Sequence, residues 1–266
     1  MDFIIDKRFN FSGGEVQVTV KKMTSDVVYI TANLRSSDDV MALLMATDAL
    51  RRQGATRIHL TMPYVPYARQ DRVMNPGEAL GIKVFCDLIN AQNYSGVTIL
   101  DPHSDVTPAL LNNVLVIEQH ELVQDDMDLS DHILVCPDAG ARKKIGKLAM
   151  LGNNEVVFFD KSRNTKTGAI TGTVLSQAPV VWDRAADHLI VDDICDGGYT
   201  FIKLAEALRE HGVTGNIDLY VTHAILSKGT AVFEGHINTL WTPSCWLSKA
   251  AIEQSNANNT FQIEVV

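Results

Sequence analysis

One stretch in the second half of the chain, residues 189–201, joins a strand pattern, an acidic turn and a helix pattern. A short apolar run typical of a buried strand opens it, and three aspartates follow within five positions. Two glycines come next, and then apolar residues at helical spacing. Such a strand–turn–helix unit places backbone N–H groups and a helix N-terminus around an anion.

Two interpretations of this stretch are equally open on its own residues. In the first, the aspartates beside the anion accept hydrogen bonds from sugar hydroxyls or help to hold a cation, so that the turn binds a sugar phosphate. In the second, it is an ordinary turn between a strand and a helix with a polar strand end. The residues concerned are Asp192, Asp193, Asp196, Gly197, Gly198, Tyr199 and Thr200.

Strand patterns and helix patterns alternate along most of the chain. After a predicted hairpin in the first 22 residues, the alternation runs from residue 27 to residue 100, and a second series runs from residue 133 to residue 221. This order predicts parallel sheets flanked by helices. Because 266 residues, 46% of them hydrophobic, are enough for two modest cores, we expect an α/β protein with two similar domains that meet near residue 140.

The amino-acid composition limits the kinds of molecule that the protein is expected to bind. A net charge of −9 argues against nucleic acid or an anionic membrane surface as the main partner, whereas local clusters of basic residues suit small anionic ligands. The four cysteines are widely spaced and show neither a metal-ligand spacing nor a disulfide framework. No N-terminal signal pattern and no long apolar stretch is present, so a cytoplasmic protein is expected.

Charged residues also follow other predicted strands, where parallel sheets bind ligands. The segment 69–72 (Arg-Gln-Asp-Arg), after a loop stiffened by prolines, offers guanidinium groups and an amide to a nucleotide, or is a solvated charged loop. His103 is more often structural when considered alone, but with Asp138 it could complete a site for a divalent cation. Lys161 and Arg163 are two positions apart at a predicted strand end, so both side chains can point to one site and stabilise the charge in phosphoryl transfer. Considered alone, the two residues are better explained as the exposed tip of a basic hairpin.

Several of these stretches, in this order, resemble the ribose-phosphate pyrophosphokinase family, also called phosphoribosyl diphosphate (PRPP) synthetases. The similar segments are residues 11–15 (Phe-Ser-Gly-Gly-Glu), 66–72 (Pro-Tyr-Ala-Arg-Gln-Asp-Arg), 101–103 (Asp-Pro-His), 137–140 (Pro-Asp-Ala-Gly), 191–200 (Val-Asp-Asp-Ile-Cys-Asp-Gly-Gly-Tyr-Thr) and 222–227 (Thr-His-Ala-Ile-Leu-Ser). The segment 191–200 is similar to a signature that phosphoribosyltransferases share, whereas segments 66–72 and 101–103 are specific to the synthetases. The chain departs from the family pattern at Gly197, where the family has threonine, and at Tyr199, where it has glycine.

The resemblance implies two phosphoribosyltransferase-like, Rossmann-type domains, each a mainly parallel sheet flanked by helices, in a short variant without the last helix of the family. Residues 1–139 would form an ATP-side domain. Residues 140–266 would bind ribose 5-phosphate, with the final residues able to pack back on the first domain. A homo-oligomer is also implied, based on dimers and extending to a hexamer, with the ATP site shared between subunits.

Roles for single residues follow from the same resemblance. The ATP site would comprise Phe11, Glu15, Arg69, Gln70, Asp71 and His103, and the ribose 5-phosphate site Asp192, Asp193, Asp196, Gly197, Gly198, Tyr199 and Thr200. Phe11 and Glu15 would reach the adenine site of a neighbouring subunit, while His103 and Asp138 would serve Mg²⁺. Lys161 and Arg163 would stabilise the transferring β-phosphoryl group.

The reaction implied is attack of the C1 hydroxyl of ribose 5-phosphate on the β-phosphorus of ATP, which gives PRPP and AMP. Two alternatives remain open. A phosphoribosyltransferase would consume PRPP, and a catalytically silent synthetase-like subunit would bind and regulate active subunits.

Overall fold

The computed structural model describes the backbone of residues 4–163, 170–258 and 260–266, and the side chains of these residues except 161–163 and 170–172. Two compact units follow each other along the chain, the first ending at Glu118 and the second beginning at Gln119. In the part of the chain that the structure describes, none of the helices is both long and apolar enough to span a bilayer. A cytoplasmic location stays a prediction.

The first unit contains an antiparallel ribbon and a four-stranded parallel sheet with the order β3-β4-β5-β6. Its elements are β1 (Ile5–Asn10), β2 (Val16–Val20), β3 (Val27–Thr31), α1 (Ser37–Arg52), β4 (Arg57–Met62), α2 (Gly81–Asn90), β5 (Gly96–Leu100), α3 (Val106–Leu110) and β6 (Val114–Ile117). Helix α1 begins where its sequence predicts, because the Ser36 side chain accepts a hydrogen bond from the Asp39 N–H. Leu43 of α1, Leu60 of β4 and Phe85 of α2 meet in one apolar core.

The sequence pattern predicts a helix from about Glu78 to Ala91, but helix α2 begins three residues later, at Gly81. The Glu78 carboxylate accepts hydrogen bonds from the N–H groups of Met74 (2.8 Å) and Asn75 (3.0 Å), so it closes the preceding loop. The predicted start was therefore wrong, because the acidic residue that suits a first helical turn caps a different turn.

The second unit is built on one large sheet with the order β14-β12-β11-β10-β7-β8-β9, and β13 also pairs with β11. Only the β8–β9 pair within this sheet is antiparallel among the described strands. The elements are α4 (Gln119–Asp126), β7 (His132–Cys136), α5 (Arg142–Gly152), β8 (Val156–Arg163), β9 (Ile170–Gln177), β10 (Asp187–Cys195), α6 (Tyr199–Glu210), β11 (Ile217–Ala224), a 3-10 turn (Ala231–Phe233), β12 (Thr239–Thr242), β13 (Ser244–Cys245), α7 (Lys249–Asn258) and β14 (Gln262–Val265).

Apolar side chains cover both faces of this sheet. On one face, Ile190 of β10 packs in a cluster with Leu204 of α6, and on the other face Val191 packs with Ile145 of α5. A parallel strand that is buried on both faces reads as a continuous apolar run, as residues 189–191 do. The predicted α/β class, with mainly parallel sheets flanked by helices, is confirmed.

Three details of the second unit differ from the sequence expectation or extend it. The sequence predicts a strand at residues 156–159, and β8 continues from there to Arg163 because it pairs with β9. Of the hairpin predicted around residues 168–173, residues 168 and 169 lie outside the described backbone. The final residues form β14, which pairs with β12 in the second sheet.

The first unit ends at Glu118, before the expected boundary near residue 140, because β7 pairs with β10 and β8. The assignment of one substrate to each domain stays a prediction.

Candidate active site

The start of helix α1 holds the ribbon that carries Phe11 and Glu15. Arg8 of β1 donates a hydrogen bond to the Asp39 carboxylate (2.7 Å), and the Asn10 amide donates one to Asp38 (3.1 Å). Both contacts fix the strand β1 that leads into the turn at residues 11–14. The predicted adenine-contacting residues are therefore attached to the first turn of helix α1.

The side chains at this turn are presented outward. Phe11 is 53% exposed, and its ring contacts the Phe9 ring edge-on with 5.1 Å between ring centroids. The Glu15 carboxylate folds back over Gly13, where an added Cβ would lie only 2.5 Å from a Glu15 oxygen. An exposed aromatic ring of this kind is available to stack on a planar base.

The Arg-Gln-Asp segment forms a tight turn that begins at Tyr67. Tyr67 has a φ of +63°, a conformation that L-residues other than asparagine and aspartate rarely adopt. Its carbonyl accepts a hydrogen bond from the Gln70 N–H (2.9 Å), and its hydroxyl lies 3.2 Å from the Ser37 hydroxyl. Arg69 and Gln70 are exposed on this turn. The backbone is thus anchored to α1 while the side chains face solvent.

Asp71 and His103 come from the segments that follow β4 and β5, and the fold brings them together. The hydrogen bond from Arg72 to Asp71 (2.9 Å) lowers the pKa of the Asp71 carboxyl, and Ser104 and the nearby His103 act in the same direction, against the opposing effect of burial. Asp71 is therefore ionised at neutral pH. The two residues offer a carboxylate and an imidazole at one end of the sheet.

In the second unit, the acidic end of β10 carries Asp192 and Asp193. The Asp193 N–H donates to an Asp192 carboxylate oxygen (2.9 Å), and the Asp192 carbonyl accepts from the Gln119 amide (2.6 Å). Burial raises the pKa of Asp192 well above its ordinary value, and the negative charges of Asp193 and then Asp138 raise it further. The Lys144 ammonium lies 3.8 Å from Asp193 and offsets part of this negative charge.

Asp138 also closes the turn before α5. One of its carboxylate oxygens accepts hydrogen bonds from the N–H groups of Gly140 (2.8 Å) and Ala141 (3.2 Å). This turn holds Asp138 near Asp192, so the acids after β7 and within β10 form one negatively charged group.

Cys195 lies within the acidic stretch but has the properties of a packing residue. It is fully buried, and burial together with Asp192 and Asp196 raises the pKa of its thiol to about 12. A thiol with such a pKa is not a nucleophile at neutral pH.

The glycine turn that opens α6 depends on Gly198. Gly198 has a φ of +80°, and an added Cβ there would come within 2.6 Å of the Phe233 ring. Both the backbone conformation and the packing therefore require glycine. Tyr199, the first residue of α6, is 69% exposed, with the Lys203 ammonium 6.0 Å from its ring centroid. Its ring faces solvent, and the first N–H groups of α6 lie at the turn, where a helix leaves them without intrahelical acceptors.

Asp196, at the start of this turn, is tied to the loop after β11. The Ser227 hydroxyl donates to the Asp196 carboxylate (2.6 Å), and the Ser227 N–H donates to the Asp196 carbonyl (3.0 Å). The loop after β11 and the loop after β10 therefore form one surface at the carboxyl ends of neighbouring strands.

Lys161 and Arg163 lie near the end of β8, opposite β9. The extended conformation reaches Arg163, but the register between the two strands shifts between Ser162 and Arg163. The side chains of both residues lie outside the described part of the chain. Their convergence on one site stays a prediction.

Sequence reasoning missed three residues at the second-unit site, namely Gln119, Lys144 and Lys228. Lys144 belongs to the basic cluster at residues 142–144, which signalled an anionic partner without indicating where it lies. Gln119 belongs to no motif, and Lys228 directly follows the motif-like segment 222–227 without being part of it. They meet the acidic turn only through the tertiary fold.

Two units, each with a parallel sheet and with polar turns after its strands, define an α/β protein of the class that binds nucleotides and sugar phosphates at strand ends. Residues 6–92 match the N-terminal domain of ribose phosphate pyrophosphokinase. The ribose-phosphate pyrophosphokinase of Haemophilus ducreyi is 32% identical over 231 residues, which cover 83% of this chain and 71% of that protein. The enzyme of the same name from Pasteurella multocida is 31% identical over 233 residues, with the same coverage.

The fold has a solved counterpart. The crystal structure of phosphoribosylpyrophosphate synthetase from Mycobacterium smegmatis superposes with a TM-score of 0.74 at 19% identity, covering 97% of this chain and 85% of that one. The chain belongs to the ribose-phosphate pyrophosphokinase family. The resemblance predicted from the motifs is confirmed.

Proposed function

We propose that this protein is a ribose-phosphate diphosphokinase. It transfers the β,γ-diphosphoryl group of ATP to the C1 hydroxyl of ribose 5-phosphate and releases PRPP and AMP. The observation that carries the proposal is the turn from Asp192 to Thr200, in which paired carboxylates lie next to a glycine-bounded helix start. Hydroxyl acceptors beside an anion site are what a sugar phosphate requires.

Each end of the sugar phosphate has matching groups in the second unit. Asp192 and Asp193 accept hydrogen bonds from ribose hydroxyls. The 5-phosphate binds at the turn from Asp196 through Gly197, Gly198, Tyr199 and Thr200, where the helix start offers N–H donors. The Lys144 ammonium, 3.8 Å from the Asp193 carboxylate, offsets part of the negative charge at this end of the site.

ATP binds to residues of the first unit. Arg69 and Gln70 contact the base and phosphates from their exposed turn, and the ionised Asp71 with His103 orients the nucleotide. The exposed ring of Phe11, with Glu15, contacts the adenine bound to a neighbouring copy, so the active form is a homo-oligomer built from dimers.

The chemical step is an in-line displacement. The C1 oxygen forms a bond to the β-phosphorus, the bond from that phosphorus to the oxygen bridging to the α-phosphorus breaks, and AMP leaves with that oxygen while the hydroxyl proton is lost to water. Catalysis of this kind needs mainly positioning and charge stabilisation. We assign Lys161 and Arg163 to the charge on the transferring group.

The donor groups fit Mg²⁺ that arrives with ATP. Mg²⁺ usually binds one or two protein groups together with substrate phosphates and retained waters. In the proposal, His103, beside the ionised Asp71, is the residue of the first unit assigned to this ion, and Asp138 is the residue of the second unit assigned to it. When bound, Mg²⁺ neutralises phosphate charge.

The proposal is tested by incubating the purified protein with ATP, Mg²⁺ and ribose 5-phosphate and measuring AMP and PRPP. We expect equal amounts of both products, with neither formed when ribose 5-phosphate is left out. Absence of AMP above background would overturn the proposal, and consumption of added PRPP in the presence of a nucleobase would indicate a phosphoribosyltransferase instead.

Lys161→Ala tests the assignment of transition-state stabilisation. Removing one donor to developing charge lowers kcat by about 100-fold or more, whereas ATP affinity should change by only a few-fold. The measurement is kcat beside a direct Kd for ATP. Equal losses in kcat and affinity would mean that Lys161 only binds ATP.

A further inference from the structure

Lys228 lies against the glycine turn that the proposed function assigns to the 5-phosphate. A Cβ added at Gly197 would be 3.4 Å from Lys228 Cγ and 3.9 Å from the Ser227 hydroxyl. The aliphatic part of Lys228 therefore covers the side of Gly197 on which a side chain would lie, and the motif resemblance implies a threonine at this position.

The loop that carries Lys228 is rigidly attached to this turn. Ser227 donates two hydrogen bonds to Asp196, one from its hydroxyl (2.6 Å) and one from its N–H (3.0 Å). Leu226 has a φ of +55°, and its carbonyl accepts a bond from the Gly229 N–H (2.9 Å), so the loop closes in a tight turn. Lys228 lies at the tip of that turn, immediately after the anchored Ser227.

The ammonium of Lys228 is available for a ligand. Lys228 is exposed, and within residues 4–163, 170–258 and 260–266 it forms no ion pair. The lysine one turn into α6, Lys203, is instead bonded to Glu206 (2.5 Å). The two lysines next to the turn thus differ in whether a carboxylate already neutralises them.

We propose that Lys228 binds the phosphate of the sugar-phosphate substrate and replaces the hydroxyl that is lost at Gly197. This inference rests on the proposed function, because it assigns a further residue to the same site. A hydrogen bond from an ammonium to a phosphate oxygen is stronger than one from a neutral hydroxyl, and the flexible lysine stem reaches a ligand without a fixed geometry. With Lys228, phosphate binding therefore depends more on the charge of a side chain than it would with a threonine at position 197.

Calorimetric titration with ribose 5-phosphate tests this role directly. We expect Lys228→Met to weaken binding about tenfold and Lys228→Arg to retain most of it, because one charge-assisted contact is lost in the first and kept in the second. Lys203→Met is the matched control, since it removes a neighbouring cation that is already paired, and its Kd should stay within about twofold of the wild-type value. ATP affinity should be unchanged in all three variants.

A rescue experiment separates a phosphate contact from a general loss of structure. Gly197 does not need a positive φ, and a Cβ added there meets only ordinary van der Waals contacts, so the backbone accepts a residue with a side chain. Gly197→Thr added to Lys228→Met should restore a large part of the lost affinity. Binding of ribose 5-phosphate by Lys228→Met with the wild-type Kd would overturn the inference but leave the diphosphokinase proposal intact. That proposal fails only if the wild-type protein forms no AMP and PRPP.

Discussion

Gly198 is the residue on which the geometry of the sugar-phosphate turn depends. Its φ of +80° turns the chain from β10 into α6, and the Phe233 ring occupies the space where a side chain would lie. Tyr199, by contrast, is tolerated in the place of a family glycine because its ring faces solvent. Tyr199, although it departs from the family pattern, therefore leaves the turn accessible to a ligand.

Gly198→Ala should destabilise the protein and weaken ribose 5-phosphate binding. The left-handed backbone and the contact with Phe233 together should lower the free energy of unfolding by about 2 kcal/mol or more. Denaturant unfolding measures this value, and Gly197→Ala, which meets only ordinary contacts, is the matched control and should change it by less than about 0.5 kcal/mol. Equal stability of the two variants would contradict the assignment of Gly198 as the required glycine.

Asp192 illustrates a cost that the site imposes on folding. Its pKa is raised above the ordinary value of 3.8 by burial and by the charge of Asp193. A carboxyl whose pKa rises on folding holds its proton more tightly in the folded state. Stability is therefore lost as pH increases through 3.8 towards the folded pKa, and the loss is complete at higher pH.

Asp192→Asn should consequently unfold at a higher denaturant concentration than the wild type at pH 7, with a much smaller difference at pH 3. The same variant should lose roughly 10- to 100-fold in kcat/KM for ribose 5-phosphate, because the asparagine amide offers a ribose hydroxyl one acceptor oxygen where the carboxyl group offers two. Unfolding curves at both pH values check the first expectation and steady-state kinetics the second. A variant less stable than the wild type at pH 7 would contradict the assigned pKa direction.

At the scale of elements, the start of α1 holds the two segments of the first unit that we assign to ATP. It holds the β1–β2 ribbon through Arg8 and Asn10, and it holds the Arg-Gln-Asp turn through the contact between Ser37 and Tyr67. Helix α2 supports the same turn from its own start, because the Gln70 side chain packs directly on Gly81. The first turns of α1 and α2 therefore both hold the Arg-Gln-Asp turn in place.

A double-mutant cycle on Ser37 and Tyr67 tests this support. Ser37→Ala and Tyr67→Phe should each raise the KM for ATP about fivefold, as expected for the loss of one hydrogen bond, and should leave the KM for ribose 5-phosphate unchanged. The double variant should be no worse than either single variant, since both remove the same contact. Additive effects would show that the two hydroxyls act independently.

The sequence predicted elements that depend on local signals. The bounds of β4 matched the prediction, and α1 began after a serine cap as expected. The longer β8 depends on pairing with β9, and the late start of α2 depends on the Glu78 carboxylate, neither of which follows from periodicity. The strands after β11 were not predicted.

The candidate site divides in the same way. The acidic turn could be predicted because its residues lie within one short segment. Gln119 is 73 residues from Asp192, which it contacts, and Ser227 is 31 residues from Asp196, so these partners follow from the parallel sheet rather than from local spacing. The placement of Lys228 at Gly197 is a consequence of the same strand neighbours.

At the scale of the whole molecule, family membership joins two sets of residues that the structure describes in separate units. Most of the residues that we assign to ATP belong to the first unit, and the residues that we assign to the sugar phosphate belong to the second. We therefore expect variants of each unit to affect mainly the KM of one substrate. Variants at residues assigned to the transferring group should affect kcat instead.

The position of bond cleavage in ATP tests the central claim most directly. ATP with a radioactive label on the β-phosphorus is incubated with Mg²⁺, ribose 5-phosphate and the wild-type protein, and the products are separated. We predict that the label appears in PRPP while the AMP is unlabelled, because the bond between the α–β bridging oxygen and the β-phosphorus breaks. Formation of labelled ADP, or of no labelled sugar product, would contradict diphosphoryl transfer.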